Sequence, residues 1–203
     1  MDTTNTRPDR ADRIGLYVAI AWVAIGAILA IVASVGRLTE VAPGQDIPVL
    51  VSLADEPAAL PLAPDGAPFP VEVATATVVV ADPGPGTLAA LWAQPIWFAV
   101  MVSAAMVLSA MFFLRLARGR AFTRGAARIA FLGAGLVVAN WLVESFLGAV
   151  VTLGALSAIS DGTYENWTVE LGFTPVGAVL ILAATGAALR IGERLQRETE
   201  GLV

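Results

Sequence analysis

The 203-residue chain contains no cysteine, no histidine and no lysine. The first absence excludes disulfides and thiol nucleophiles, and the second removes imidazole bases. Together they take away the usual ligand sets of zinc, haem and iron–sulfur centres. Without lysine there is no Schiff-base chemistry and no phosphate-gripping lysine of the Walker type. No serine stands in a nucleophile motif, so the chain reads as a non-enzyme that needs no cofactor and no metal. Charge is scarce too: 14% of residues are charged, against about 25% in a soluble domain, while 57% are hydrophobic. Mean hydropathy is +0.77 for 21.0 kDa. A globule of that size cannot hide so much apolar side chain, which leaves the bilayer as the solvent.

Four apolar stretches are long enough to cross, at 14–36, 92–114, 129–152 and 171–189. Ile14 to Val35 carries no charge and exceeds both the ~20 residues a span needs and the ~7–15 of a signal-peptide core. It reads as a retained anchor behind a tail at 1–13. The second span has Pro95 near its first turn, where a missing N–H costs least. The fourth is the shortest, flanked by Glu170 and Arg190.

Arginine sets the orientation. Arg7, Arg10 and Arg13, then Arg115, Arg118, Arg120, Arg124 and Arg128, then Arg190, Arg194 and Arg197 fall on one side of a four-span chain; only Arg37 falls on the other. The positive-inside rule then predicts both termini and the 115–128 loop in the cytoplasm. The acids are distributed the opposite way, ten outside against six inside, with Glu144 within a span. The net charge of −5 is therefore an average over two unlike faces.

The expected outer parts are a loop domain at 37–91 and a second loop at 153–170. The first holds nine of the twelve prolines and two β-branched runs, Pro48 to Leu53 and Val71 to Val80. These predict a small sheet of two or three strands, with Ala54 to Pro70 as loop and Val71, Val73, Thr75 and Thr77 sharing a face. Pro83-Gly84-Pro85-Gly86 reads as the turn back to the membrane. A lone hairpin is marginal in water and must lean on something, either the second loop or the bilayer surface. In the second loop, Asn166-Trp167-Thr168 fits a glycosylation triplet, and Asp161 with Glu165 fits either a solvated pair or a cation site. Tyr164, Trp167, Trp92 and Trp97 suit the outer interface.

Two features carry functional candidates. The 115–128 loop, with Arg115, Arg118, Arg120, Arg124, Arg128 and Phe122, reads either as a topology signal or as a docking surface for an acidic partner or anionic headgroups. The tail at 190–203 continues the last span as a charged helix, with Glu193 and Arg197 one turn apart. The other feature is Glu144, one turn after Asn140 on the third span. Intramembrane carboxylates are rare and usually face the interior. Two readings stay open, a structural hydrogen bond with Asn140 or a neighbouring helix, and a transport or sensing role. Counting about 1.5 Å per residue from Arg128, Glu144 lies in the outer leaflet, within reach of interfacial water, Tyr164 or Arg37. Gly133, Gly135, Gly148, Gly177, Gly186, Ala183 and Ala187 read as close-packing positions between helices.

Arg118-Gly119-Arg120-Ala121-Phe122-Thr123, with Arg128 and Gly133 beyond it, resembles the pattern of a bacterial four-span membrane family of unknown function, DUF (domain of unknown function) 2975. The tail from Gly192 to Val203 is similar to that family's Gly-x-x-Leu-x-x-Glu ending. Ala121 departs from the expected Pro, Ala126 from the expected Asn, and the spacing to Gly133 is one residue short. The resemblance implies a protein of the bacterial cytoplasmic membrane, and, as members are often encoded beside a small helix-turn-helix regulator, a partner of that kind.

The resulting expectation is an α-helical membrane protein with four transmembrane helices, both termini inside, and a small β-rich insertion between helices 1 and 2. It would act without catalysis, as a sensor, anchor or partner subunit whose partners are the lipid bilayer, a small cytosolic regulator or another membrane subunit. It would not contact nucleic acid directly, and an oligomer fits. The alternative is a small transporter or channel component built on Glu144 and Asn140.

Overall fold

The computed structural model describes residues 10–61, 67–118, 123–164, 168 and 172–200. The elements run α1 (Arg10–Val41), β1 (Ile47–Leu60), β2 (Phe69–Val80), α2 (Pro85–Ala117), α3 (Arg124–Ser160) and α4 (Thr174–Glu200). All four helices are long and apolar enough to cross a membrane, so the chain has the helices of a multi-pass membrane protein. Large apolar side chains such as Ile14, Trp22, Leu29, Phe146 and Ile181 are exposed along them, as helix faces in contact with lipid require.

The helices outrun the expected spans. At 37 residues, α3 is about 55 Å long, against the ~30 Å hydrocarbon core. Hydropathy marks where a helix enters the bilayer, whereas capping marks where it stops. Leu88 N donates to Gly84 O (2.9 Å) and Pro85 opens α2, so the Pro-Gly turn ends as a helix start. Pro95 is therefore eleven residues into α2 and buried, not near its first turn. At the far end of α3, Asp161 takes a left-handed φ of 50° and Gly162 N donates back to Ser157 O (3.1 Å). This is a Schellman-type stop with Asp where Gly is usual.

The chain divides into two compact units. One comprises Ser34–Trp97 and Leu142–Leu171. Its centre is the antiparallel β1–β2 hairpin. The strands extend well beyond the β-branched runs: Ala54 to Leu60, expected as loop, belongs to β1, with Pro57 opposite Glu72. Proline is tolerated there because both strands of a two-stranded sheet are edges. Register changes between Ser52↔Thr75 and Glu56↔Val73, where β1 contributes three residues against one, with Asp55 at φ 47°. This bulge swaps the inward face, since side chains alternate along a strand. Val80, Val78 and Ala76 point to the core on one side of it and Val73 and Val71 are half-buried on the other, while Thr75 and Thr77 are exposed. The expected single face of Val71, Val73, Thr75 and Thr77 is thus split at the bulge.

What the hairpin leans on is mainly helix. Ile47, Val49, Val51 and Val80 form one buried cluster with Val41 of α1, Ala90 and Leu91 of α2, and Val151, Ala155 and Leu156 of α3. The second loop adds a strap, with Thr168 N donating to Ser52 O (3.4 Å) and Thr168 Oγ1 to Leu53 O (3.3 Å). Gly154 sets how closely α2 and α3 approach: a Cβ there would overlap the buried Thr87 side chain.

The other unit comprises Met1–Ala33, Phe98–Trp141 and Gly172–Val203. In it α3 and α4 run antiparallel through glycine contacts. A Cβ on Gly133 would meet Leu182 at 3.6 Å, and one on Gly186 would meet Phe131 at 2.9 Å. Of the expected packing glycines these two make such contacts, whereas Gly135, Gly148 and Gly177 have nothing within 4 Å of a Cβ.

Gly154→Leu should force α2 off α3 and strip the hairpin's support, costing about 1–3 kcal/mol as overpacking does. Thermal unfolding in detergent should show a Tm several degrees lower, while Gly135→Leu leaves Tm near the wild-type value. Equal losses in the two variants would contradict the close contact.

Candidate functional site

The candidate lies where α2, α3 and α4 bring arginines together within one unit. Arg115 occupies the last turn of α2, where a cation complements the exposed carbonyl ends. Its guanidinium lies against Gly125, whose missing side chain leaves the room. Thr123 caps α3, accepting Ala126 N at its hydroxyl (3.4 Å) and Ala127 N at its carbonyl (3.3 Å), as its position predicts. Arg124 and Arg128 then stand one turn apart on the same face of α3. Arg118 is described and exposed; Arg120 and Phe122 lie outside the described residues.

The end of α4 meets this group from the other side. Glu193, mostly buried, takes Arg124 Nε at 3.5 Å and Arg197 Nη2 in a closer bond. Arg194 pairs with Glu198 at 2.8 Å. Arg190 places its guanidinium 4.7 Å from the centroid of Phe131, a cation–π contact that holds it toward α3. A cleft of about 380 Å³ opens among Arg124, Arg128, Arg190 and Glu193. One carboxylate faces three arginines there, so the cleft keeps a positive excess. The i, i+4 pair of Glu193 and Arg197 was legible on one helix; the Arg124–Glu193 and Arg190–Phe131 contacts join residues 69 and 59 positions apart, and no local pattern signals them.

The intramembrane candidates are placed differently from the expectation. Glu144 stands on an exposed face of α3, and it forms no hydrogen bond or ion pair among the described residues. Asn140, which belongs to the other unit, has its Oδ1 buried without a partner among the described residues, as is Nε1 of Trp141. Neither Tyr164 nor Arg37 reaches Glu144. Arg37 donates to Glu40 Oε2 (2.7 Å) and to Pro48 O (2.8 Å), tying the end of α1 to the start of β1.

In the outer-loop group, the Tyr164 hydroxyl donates to Glu56 Oε1 at 3.0 Å, linking the second loop to the hairpin bulge. Desolvation, then the hydrogen bond to Glu56 and its negative charge, push the Tyr164 phenol above its ordinary 10.0. Asp161 serves the α3 stop. Glu165, Asn166 and Trp167, and with them the second half of the cation-site reading and the glycosylation triplet, lie outside the described residues. Among the described residues no three His, Cys, Asp or Glu side chains cluster as metal ligands.

Comparison with protein-family models, with curated proteins and with solved structures finds no match to the chain.

The Tyr164–Glu56 link has a definite pH sign. The neutral phenol is favoured in the fold, so its contribution is complete below pH 10 and is lost as pH rises through the raised Tyr164 value. In a Tyr17→Phe chain, where Tyr164 is the remaining tyrosine, the ultraviolet tyrosinate titration should have its midpoint above 10.0, and Glu56→Gln should lower it. A midpoint indifferent to Glu56 would refute the link.

Proposed function

We propose that this chain is a multi-pass protein of the bacterial cytoplasmic membrane that works without catalysis, as a sensor, anchor or partner subunit presenting a basic cytoplasmic face. Both termini and the α2–α3 turn lie inside in this reading, and the hairpin lies outside. The observation that carries it is the convergence of Arg115, Arg124, Arg128 and Arg190 at one end of α2, α3 and α4. The positive-inside rule puts such an end in the cytoplasm. The bacterial membrane and a small helix-turn-helix regulator as partner come from the resemblance described above; another membrane subunit or a second copy would use the same surface.

The charges suit recognition of an acidic surface. Exposed arginines attract such a partner from a distance and lose that attraction in salt, with a screening length of about 8 Å at physiological ionic strength. The transporter alternative rests on Glu144. An outward-facing carboxylate lends it little support, because coupling residues are expected in the interior or along a water-filled path.

Crosslinked pull-down from cytosol onto the reconstituted chain tests the docking role. The Arg118→Gln, Arg120→Gln, Arg124→Gln triple variant should recover about tenfold less of the partner, and raising salt should mimic the loss in the wild type. Unchanged recovery by the triple variant would exclude docking on this turn.

A further inference from the structure

The charged cleft has an apolar neighbour in the same unit. A groove of about 370 Å³ runs between α2, α3 and α4, lined among others by Phe112, Ile129, Ala130, Gly133, Leu182 and Thr185. Its volume falls within the ~300–1,000 Å³ of small-molecule pockets. Its polar groups are few: the Thr185 hydroxyl is already committed to Ile181 O at 2.8 Å, and Ser109 of α2 also lines it.

Each of the three helices passes from groove to cation within a short step. On α2, Arg115 follows Phe112 by three residues. On α3, Arg128 immediately precedes Ile129. On α4, Arg190 follows Thr185 by five residues, about 7.5 Å along the axis. The charged cleft therefore adjoins one end of the apolar groove, at the depth where spanning helices meet headgroups. Neither Arg128 nor Arg190 forms an ion pair among the described residues, and Arg190 is held over the Phe131 ring. Glu193 is already shared by Arg124 and Arg197.

We propose that groove and cleft form one binding site for an anionic glycerophospholipid. Its phosphate sits among Arg124, Arg128 and Arg190, and one acyl chain lies in the groove. The charge complement selects the headgroup: guanidinium groups give a phosphodiester several charge-assisted bonds, often in pairs. The apolar lining selects the tail, so a free phosphate would use only the cleft. The site would brace α2, α3 and α4 against one another on the inner leaflet. It does not depend on the docking role, since it needs only the purified chain and lipid; loss of the protein partner would leave it intact.

Native mass spectrometry of the full chain in detergent tests it, with phosphatidylglycerol and phosphatidylcholine of identical acyl chains added in competition. The wild type should retain one phosphatidylglycerol with a preference of about tenfold or more. Arg128→Gln with Arg190→Gln should bring the preference close to unity, while Ser109→Trp, which fills the groove, should weaken both lipids. Inorganic phosphate and oleate should compete poorly. Equal retention of the two lipids by the wild type, or an undiminished preference in the double arginine variant, would overturn the proposal. Displacement by phosphate or oleate at lipid-like concentrations would also overturn it, in favour of a free-anion or fatty-acid site.

Discussion

In hydrocarbon a backbone N–H or C=O has no water to turn to, and each one left unpaired costs several kcal/mol. The rest of this molecule follows from that constraint. It makes every apolar stretch a helix and lets Pro95 sit inside α2 only where neighbours surround it. It also requires the β1–β2 sheet to be built at the helix ends, on the cluster of Val41, Leu91, Val151 and Leu156, where strand edges can meet loop and solvent. Charge follows the same logic. Arginines collect where helices leave the apolar medium, and their aliphatic stems lie along it while the guanidinium groups find carboxylates, an aromatic ring or headgroups.

The two units solve different problems. Around the hairpin, the difficulty is a two-stranded sheet too small to stand alone. It is met by burying one face on three helix ends and strapping the other loop across through Thr168 and the Tyr164–Glu56 bond. The bulge at Asp55 changes which residues face inward, so that one hairpin presents an apolar face to the helices near Ile47 and a polar edge to Tyr164. At the arginine-rich end, the difficulty is like-charge crowding. One mostly buried carboxylate, Glu193, and one ring, Phe131, hold three of the cations, and the surplus creates a surface with a use for an anion.

The spans were legible because Ile14 to Val35 and its three counterparts are long apolar runs in which Glu144 is the one charge, so nearly every face of such a helix is apolar. Their ends were not, because residues 153–160 and 115–117 continue as helix beyond the apolar stretch and only the caps stop them. The strand content of Ala54 to Leu60 was hidden by composition: Pro57 and its alanine neighbours carry no β signal and are held in place by pairing with Glu72 and Val71. At the site, the residue types and their grouping into three arginine-rich stretches could be read from the sequence alone. Which arginines converge could not, since Arg124–Glu193 and Arg190–Phe131 exist only once α3 and α4 pack. Glu144 shows the same limit: position in a span follows from counting, but the face it presents follows from packing.

The proposed topology puts the α2–α3 connection and the α4 tail on the same side of the membrane and the hairpin on the other. The chain's lack of cysteine makes that directly measurable. Single cysteines at Arg118, Gln196 and Ala59 can be labelled with a membrane-impermeant maleimide in intact and in permeabilised cells. Ala59→Cys should be labelled in intact cells, and Arg118→Cys and Gln196→Cys only after permeabilisation. Labelling of Arg118→Cys and Gln196→Cys from opposite sides, or of Ala59→Cys from the same side as either, would contradict it.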